Sequence, residues 1–132
     1  IAAIALQAKR HGQPAGAPCV LLSGGETTVT VTGSGRGGRN TEFALAFAIA
    51  AQAAPGVSAL SAGTDGVDGN CPAAGAIADE RTLAQARSKG FDVLATLRDN
   101  DSFTLLSALD ACVHTGSTGT NINDLRAVLI AP

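Results

Sequence analysis

The sequence has no methionine, tryptophan or tyrosine, and its aromatic residues are four phenylalanines. With so few rings it cannot build a stacking platform for single-stranded nucleic acid. Nine Lys and Arg against eleven Asp and Glu leave a net charge of -2, so there is no basic footprint for a phosphate backbone either. No nucleic acid is therefore expected as a partner. Long hydrophobic runs are also missing: the longest apolar stretches, such as Phe43 to Ala51, fall well short of the roughly 20 residues a bilayer requires. No membrane contact is expected, and no secretory signal is visible. Cysteine is scarce. Cys19, Cys71 and Cys112 are widely spaced with no C-x-x-C pair, which fits buried free thiols in a reducing, cytoplasmic setting better than disulfides or zinc. Methionine is missing even at position 1, and Ile1 already opens a helical pattern. The chain thus reads as a piece of a longer polypeptide.

Apolar residues make up 45% of the 132 positions and charged residues only 15%, enough for one domain with a packed core. Ile1, Ile4, Ala5 and Ala8 share one helical face, and Lys9, Arg10 and His11 precede a terminating Gly12. Residues 1–18 then read as a helix and a Pro/Gly linker that belong with a missing amino-terminal domain, leaving 19–132 as the domain proper. Strands are expected at Cys19–Leu22, at the alternating Thr27–Thr32, at Val57–Ala62 and at Ala127–Ile130. Helices are expected over Thr41–Ala53, Glu80–Lys89, Asp92–Leu97 and from Asn100 or Asp101 to about Ala111. Residues 73–77 match no element clearly. Strands alternating with helices imply an α/β domain, a single mixed and largely parallel sheet flanked by helices. Ligands gather at the carboxyl ends of strands in such sheets.

Polar, glycine-rich segments adjoin the strands. Gly33, Gly35 and Gly38 satisfy G-x-G-x-x-G between a strand and a helix, but no acidic residue stands about 20 positions on, as a dinucleotide site requires. Arg36 and Arg39 fit an anion better. Glycine-freed N–H groups around Gly35, Gly37, Gly38 and Asn40, a helix amino end and two guanidiniums could cradle phosphate or carboxylate. The alternative is a glycine-rich turn with two solvated arginines. Asp65 and Asp68 in Gly-Thr-Asp-Gly-Val-Asp-Gly could share Mg²⁺ or simply cap turns. Thr118, Thr120 and Asn121 offer small polar groups for a phosphate or polyol, or form an ordinary turn, and Glu26 in Ser-Gly-Gly-Glu is equally open.

Four segments in this order resemble the carboxy-terminal, or MOFRL, domain of class II glycerate kinases, a family often labelled hydroxypyruvate reductase. They are Leu22–Val29 (LSGGETTV), Gly35–Ala44 (GRGGRNTEFA), Ala62–Gly69 (AGTDGVDG) and Thr115–Leu125 (TGSTGTNINDL). Thr41 departs from the Gln that the resemblance leads one to expect. The resemblance implies ATP- and Mg²⁺-dependent phosphorylation of D-glycerate to 2-phosphoglycerate, in a cleft shared with the missing amino-terminal domain. A homodimer is compatible with it. It casts Arg39, Arg36 and Asp65 as catalytic and Asp65 with Asp68 as metal ligands. Glu26, Gly35, Gly37, Gly38, Asn40, Thr118, Thr120 and Asn121 become contacts to substrate or phosphate. The lysine of such a site is expected on the other domain, and this fragment alone is expected to be inactive. Two rival readings are an NAD(P)H-dependent hydroxypyruvate reductase and a noncatalytic module that binds an anion or another domain.

Overall fold

The computed structural model describes residues 1–132, and two of its helices, the first and the fourth, end or begin at a capping residue legible in the sequence. Helix α1 (Ala2–His11) stops at Gly12, whose left-handed backbone lets its N–H reach the Ala8 carbonyl. Strand β1 (Cys19–Gly24) leads through a long loop to α2 (Arg39–Ala51), and β2 (Val57–Gly63) follows. A second loop precedes β3 (Gly75–Ala78), α3 (Thr82–Ser88), α4 (Val93–Arg98) and α5 (Ser102–Ala108). Asp92 caps α4 by accepting the Leu94 and Ala95 N–H groups, as its position predicts. Helix α5 ends before Ala111, because Cys112–Val113 forms a short strand, β4; β5 (Asp124–Ile130) closes the chain.

The strand order is β1-β5-β2-β3-β4, and every pairing is antiparallel. The expectation of a largely parallel sheet is thereby corrected. The β1–α2–β2 passage does return the chain in the same direction, as a crossover should. The final strand, however, inserts between β1 and β2 and runs against both. Local pattern cannot reveal which distant strand takes that gap. The Thr27–Thr32 alternation is corrected too. Its backbone is drawn away from the sheet by Asn100, whose Oδ1 accepts the Thr32 N–H while its Nδ2 donates to the Thr30 carbonyl. Val31 is left 74% exposed and no strand forms.

All five helices contribute to one side of the sheet. Leu45, Ala48, Leu105 and Leu106 pack over Ala76 and Ala78, while Ala5, Ala8, Phe47 and Ala51 pack over Val57, Ala59, Val128 and Ile130. Residues 1–11 therefore share this core. The alternating burial of β2 and β5 directs one face of each strand inward. No helix is long and apolar enough to cross a membrane.

Candidate functional site

Antiparallel pairing places the carboxyl ends of β1, β2 and β4 at the same edge as the amino ends of β3 and β5. Gly24 pairs with Leu125, Gly63 with Asp124, Ala62 with Gly75, and Gly75 with Val113. The loops 25–38, 64–74 and 114–123 consequently leave from one rim.

At that rim α2 starts against an internal anion. The fully buried Asp68 accepts the Asn40 and Thr41 N–H groups at 2.9 and 2.8 Å, and also the Asn40 Nδ2 and Thr41 hydroxyl donors. A carboxylate so placed satisfies amides that the helix leaves unpaired and complements its dipole. Asp68 is thus a structural anchor with no accessible lone pair for a cation, unlike the metal-ligand role expected of it. Thr41, the departure from the expected Gln, joins the same network and accepts a bond from Ser102.

The glycine-rich loop also differs from the cradle expected of it. Its amides are consumed internally: Gly33 by Asn100, Ser34 and Gly35 by Asp99, Arg36 by Asp101, Gly37 by Asn70 and Gly38 by Thr41. The glycines serve close approach, since a Cβ at Gly33 or Gly35 would overlap the Asp99 or Asp101 backbone. What the loop leaves available is side chain. Arg36 stays exposed, its guanidinium 4.8 Å from the Phe103 ring centroid, with no carboxylate partner.

Arg39 is held from below. Its Nε donates to the buried Asp124 at 2.7 Å and its Nη1 lies 3.6 Å from Glu26, leaving Nη2 without an internal partner. Arg126, itself buried and stacked on Phe43, reaches Asp124, the Gly25 carbonyl and the Thr27 hydroxyl. A polar cleft of about 390 Å³ opens here, lined by Glu26, Thr27, Thr28, Arg39, Glu42 and Asn70, with Gly35, Gly37 and Gly38 among the other residues. Burial alone would raise the Asp124 pKa, but hydrogen bonds from Arg39 and Asn40 and the nearby guanidiniums overcome it, holding it below the usual carboxylate value. The hydrogen bond to Asp124 likewise raises Arg39. A depressed folded-state pKa gives stability that is present above the unfolded value of about 3.9 and lost as pH falls through the lower folded value. Urea midpoints should therefore drop below about pH 4, and Asp124→Asn should flatten that slope.

Asp65, Thr118 and Asn121 form a neighbouring cluster outside this cleft. The Thr118 N–H donates to the Asp65 carbonyl, Asn121 Nδ2 approaches the Asp65 carboxylate at 3.5 Å, and the Thr118 hydroxyl bonds to the Thr64 carbonyl. The Thr120 hydroxyl points to no internal acceptor and is exposed. The two clusters meet at Gly63, where a Cβ would lie 3.0 Å from Asp65 Oδ1 and 3.6 Å from Asn40 Nδ2. The half-buried Asp65 carboxylate is bonded only within its own turn and to Asn121, so it keeps lone pairs for a cation.

Burial raises the thiol pKa of Cys71, and that of Cys112 to about 11, so neither is a nucleophile at neutral pH. No disulfide forms, and of the three thiols only Cys71 is buried. Sequence reasoning missed Asp124 and Arg126. Both interrupt a hydrophobic strand two residues apart, the spacing that puts them on one face, and that was the available signal. Asn100 and Asp101 read in the sequence only as cap candidates for a helix; their bonds to the glycine-rich loop, and those of Asp99, were missed.

Fold and rim together define a one-sided antiparallel α/β domain that gathers three polar loops, a guanidinium pair and an open carboxylate at one sheet edge. The MOFRL family pattern matches residues 19–124, and the chain belongs to that family. It is 48% identical over 132 residues to a protein named putative hydroxypyruvate reductase from Agrobacterium vitis, covering 98% of this chain and 30% of that one. It is 46% identical over 130 residues to D-glycerate 2-kinase from Thermotoga maritima, covering 98% of this chain and 31% of that protein. The crystal structure of glycerate kinase from Thermotoga maritima superposes with a TM-score of 0.96 at 45% identity, covering 98% of this chain and 31% of that chain. The chain thus spans about a third of these relatives.

Proposed function

We propose that this domain forms one wall of the active site of a cytoplasmic, ATP-dependent D-glycerate kinase producing 2-phosphoglycerate, the other wall coming from the rest of the polypeptide. The convergence of three polar loops on one rim carries the reading. Phosphoryl transfer is mostly positioning and charge neutralisation, and the rim offers fixed groups for both. Arg39, braced through Nε by Asp124, presents Nη2 to an anionic oxygen of glycerate or of the transferring phosphoryl group. Arg36 adds a second guanidinium, and Thr120 a free hydroxyl for a polyol or phosphate oxygen. Asp65 fits Mg²⁺, which takes one or two carboxylates and keeps water or phosphate oxygens; Asp68 does not fit. When bound, Mg²⁺ neutralises phosphate charge.

The reductase name carried by some relatives finds less support in this chain. The G-x-G-x-x-G amides are all engaged, so none is free for a dinucleotide pyrophosphate, and no two neighbouring strands are parallel. Assaying the full-length polypeptide with glycerate and ATP, and separately with hydroxypyruvate and NADH, decides between them. ADP formation dependent on glycerate is expected. NADH oxidation without ADP formation would sink the kinase.

A further inference from the structure

Antiparallel sheets with helices on one side normally turn polar residues to solvent on the other. This one does not. Strand register sets three rows on the outer face: Val20–Leu129–Ser58, Leu22–Ala127–Leu60–Ile77, and Gly24–Leu125–Ala62–Gly75–Val113. None carries a charge. Leu22 is 72% exposed, and Val20, Ile77, Leu125 and Leu129 are each exposed by about half. A contiguous apolar patch across five strands marks an interaction surface.

We propose that this outer face is the seat of the remaining two-thirds of a polypeptide of the relatives' length, packed as an intramolecular domain interface. Three observations select that occupant over a second copy. The first is that the chain covers only 30–31% of the relatives, whose remaining length is tethered and acts at high effective concentration. The second is a groove of about 400 Å³ that wraps the β1 edge, lined by Val20 and Leu22 of the outer face, by Leu21, Ser23, Arg126 and Val128 of the inner one, and by Ile1 and Ile4. Ile1 and Ile4, at the start of the first helix, thus border the face. The third is that the last outer row lies at the strand ends from which the polar loops leave, so a domain seated there borders the rim. The inference concerns the far side of the sheet and stands whatever the rim binds.

The test uses the full-length polypeptide with single substitutions Leu22→Cys and Leu129→Cys, and Leu94→Cys on the exposed side of α4 as reference. Maleimide labelling is followed by peptide mapping above the signal of the native thiols. Both outer-face positions are expected to label at least about tenfold more slowly than Leu94→Cys, at every protein concentration. Labelling as fast as the reference would mean a solvated face and overturns the proposal. Protection that disappears on dilution, or disulfide-linked dimers through Leu22→Cys, would assign the face to a second copy and overturns it equally. Should either variant fold poorly, Ala127→Cys reports on the same row.

Discussion

Replacing Asp68 with alanine is expected to remove about 3–5 kcal/mol of folding stability, the cost of stripping a buried, hydrogen-bonded charge from its partners. The carboxylate serves four donors at the start of α2, and alanine leaves the Asn40 and Thr41 backbone N–H groups buried with no acceptor, while the Thr41 hydroxyl keeps the Gly38 carbonyl and Asn40 Nδ2 keeps Asp124. Water cannot replace it without space, and Asn40, Thr41 and Ser102 close the site at zero exposure. Domains of this size hold only about 5–15 kcal/mol in total, so the variant should unfold at much lower urea. A midpoint within error of the parent would show that α2 does not depend on this anchor. Asp65→Ala, on a loop outside the core, should leave that midpoint nearly unchanged, separating the two aspartates that look alike in sequence.

If the proposed kinase function holds, Arg39→Met in the full-length polypeptide is expected to lower kcat by about 10²–10³-fold, the usual effect of deleting one preorganised electrostatic contact. Met preserves much of the packed stem but removes the charge that Asp124 and Glu26 share and that the proposed function offers to an anionic ligand. Because Asp124 also accepts from Asn40 and Arg126, the buried carboxylate keeps partners and the fold should survive. Arg39→Lys retains charge without the forked geometry and should recover only part of the loss. Arg81, exposed and paired with the partly buried Asp79 beyond the carboxyl end of β3, away from the rim, provides the control, and Arg81→Ala should leave turnover unchanged.

Much of this was legible in the chain before its coordinates. Apolar periodicity and caps located α1, α2 and α4. The β-runs at Cys19, Val57 and Ala127 were visible as strands, and the four polar segments marked the MOFRL family. What failed shares a cause. The Thr27–Thr32 alternation is a strong strand pattern, yet Asn100, some 70 positions away in sequence, takes its backbone out of the sheet. Strand direction failed because β5, last in the chain, fills the gap between the first two strands. The glycines of the 33–38 loop suggest amides freed for an anion, but Gly33 and Gly35 instead serve close approach to the backbone of Asp99 and Asp101 at the α4–α5 junction. Asp65 and Asp68 are indistinguishable as motif letters. Only burial separates the anchor from the open carboxylate.

The most direct measurement is a crystal structure of the full-length polypeptide soaked with glycerate and a nonhydrolysable ATP analogue. The account predicts an anionic ligand at the sheet edge, within hydrogen-bond distance of Arg39 Nη2 and bordered by the Asp65–Thr118 turn. Ligand density seated elsewhere, with both of those groups facing bulk water, would contradict it.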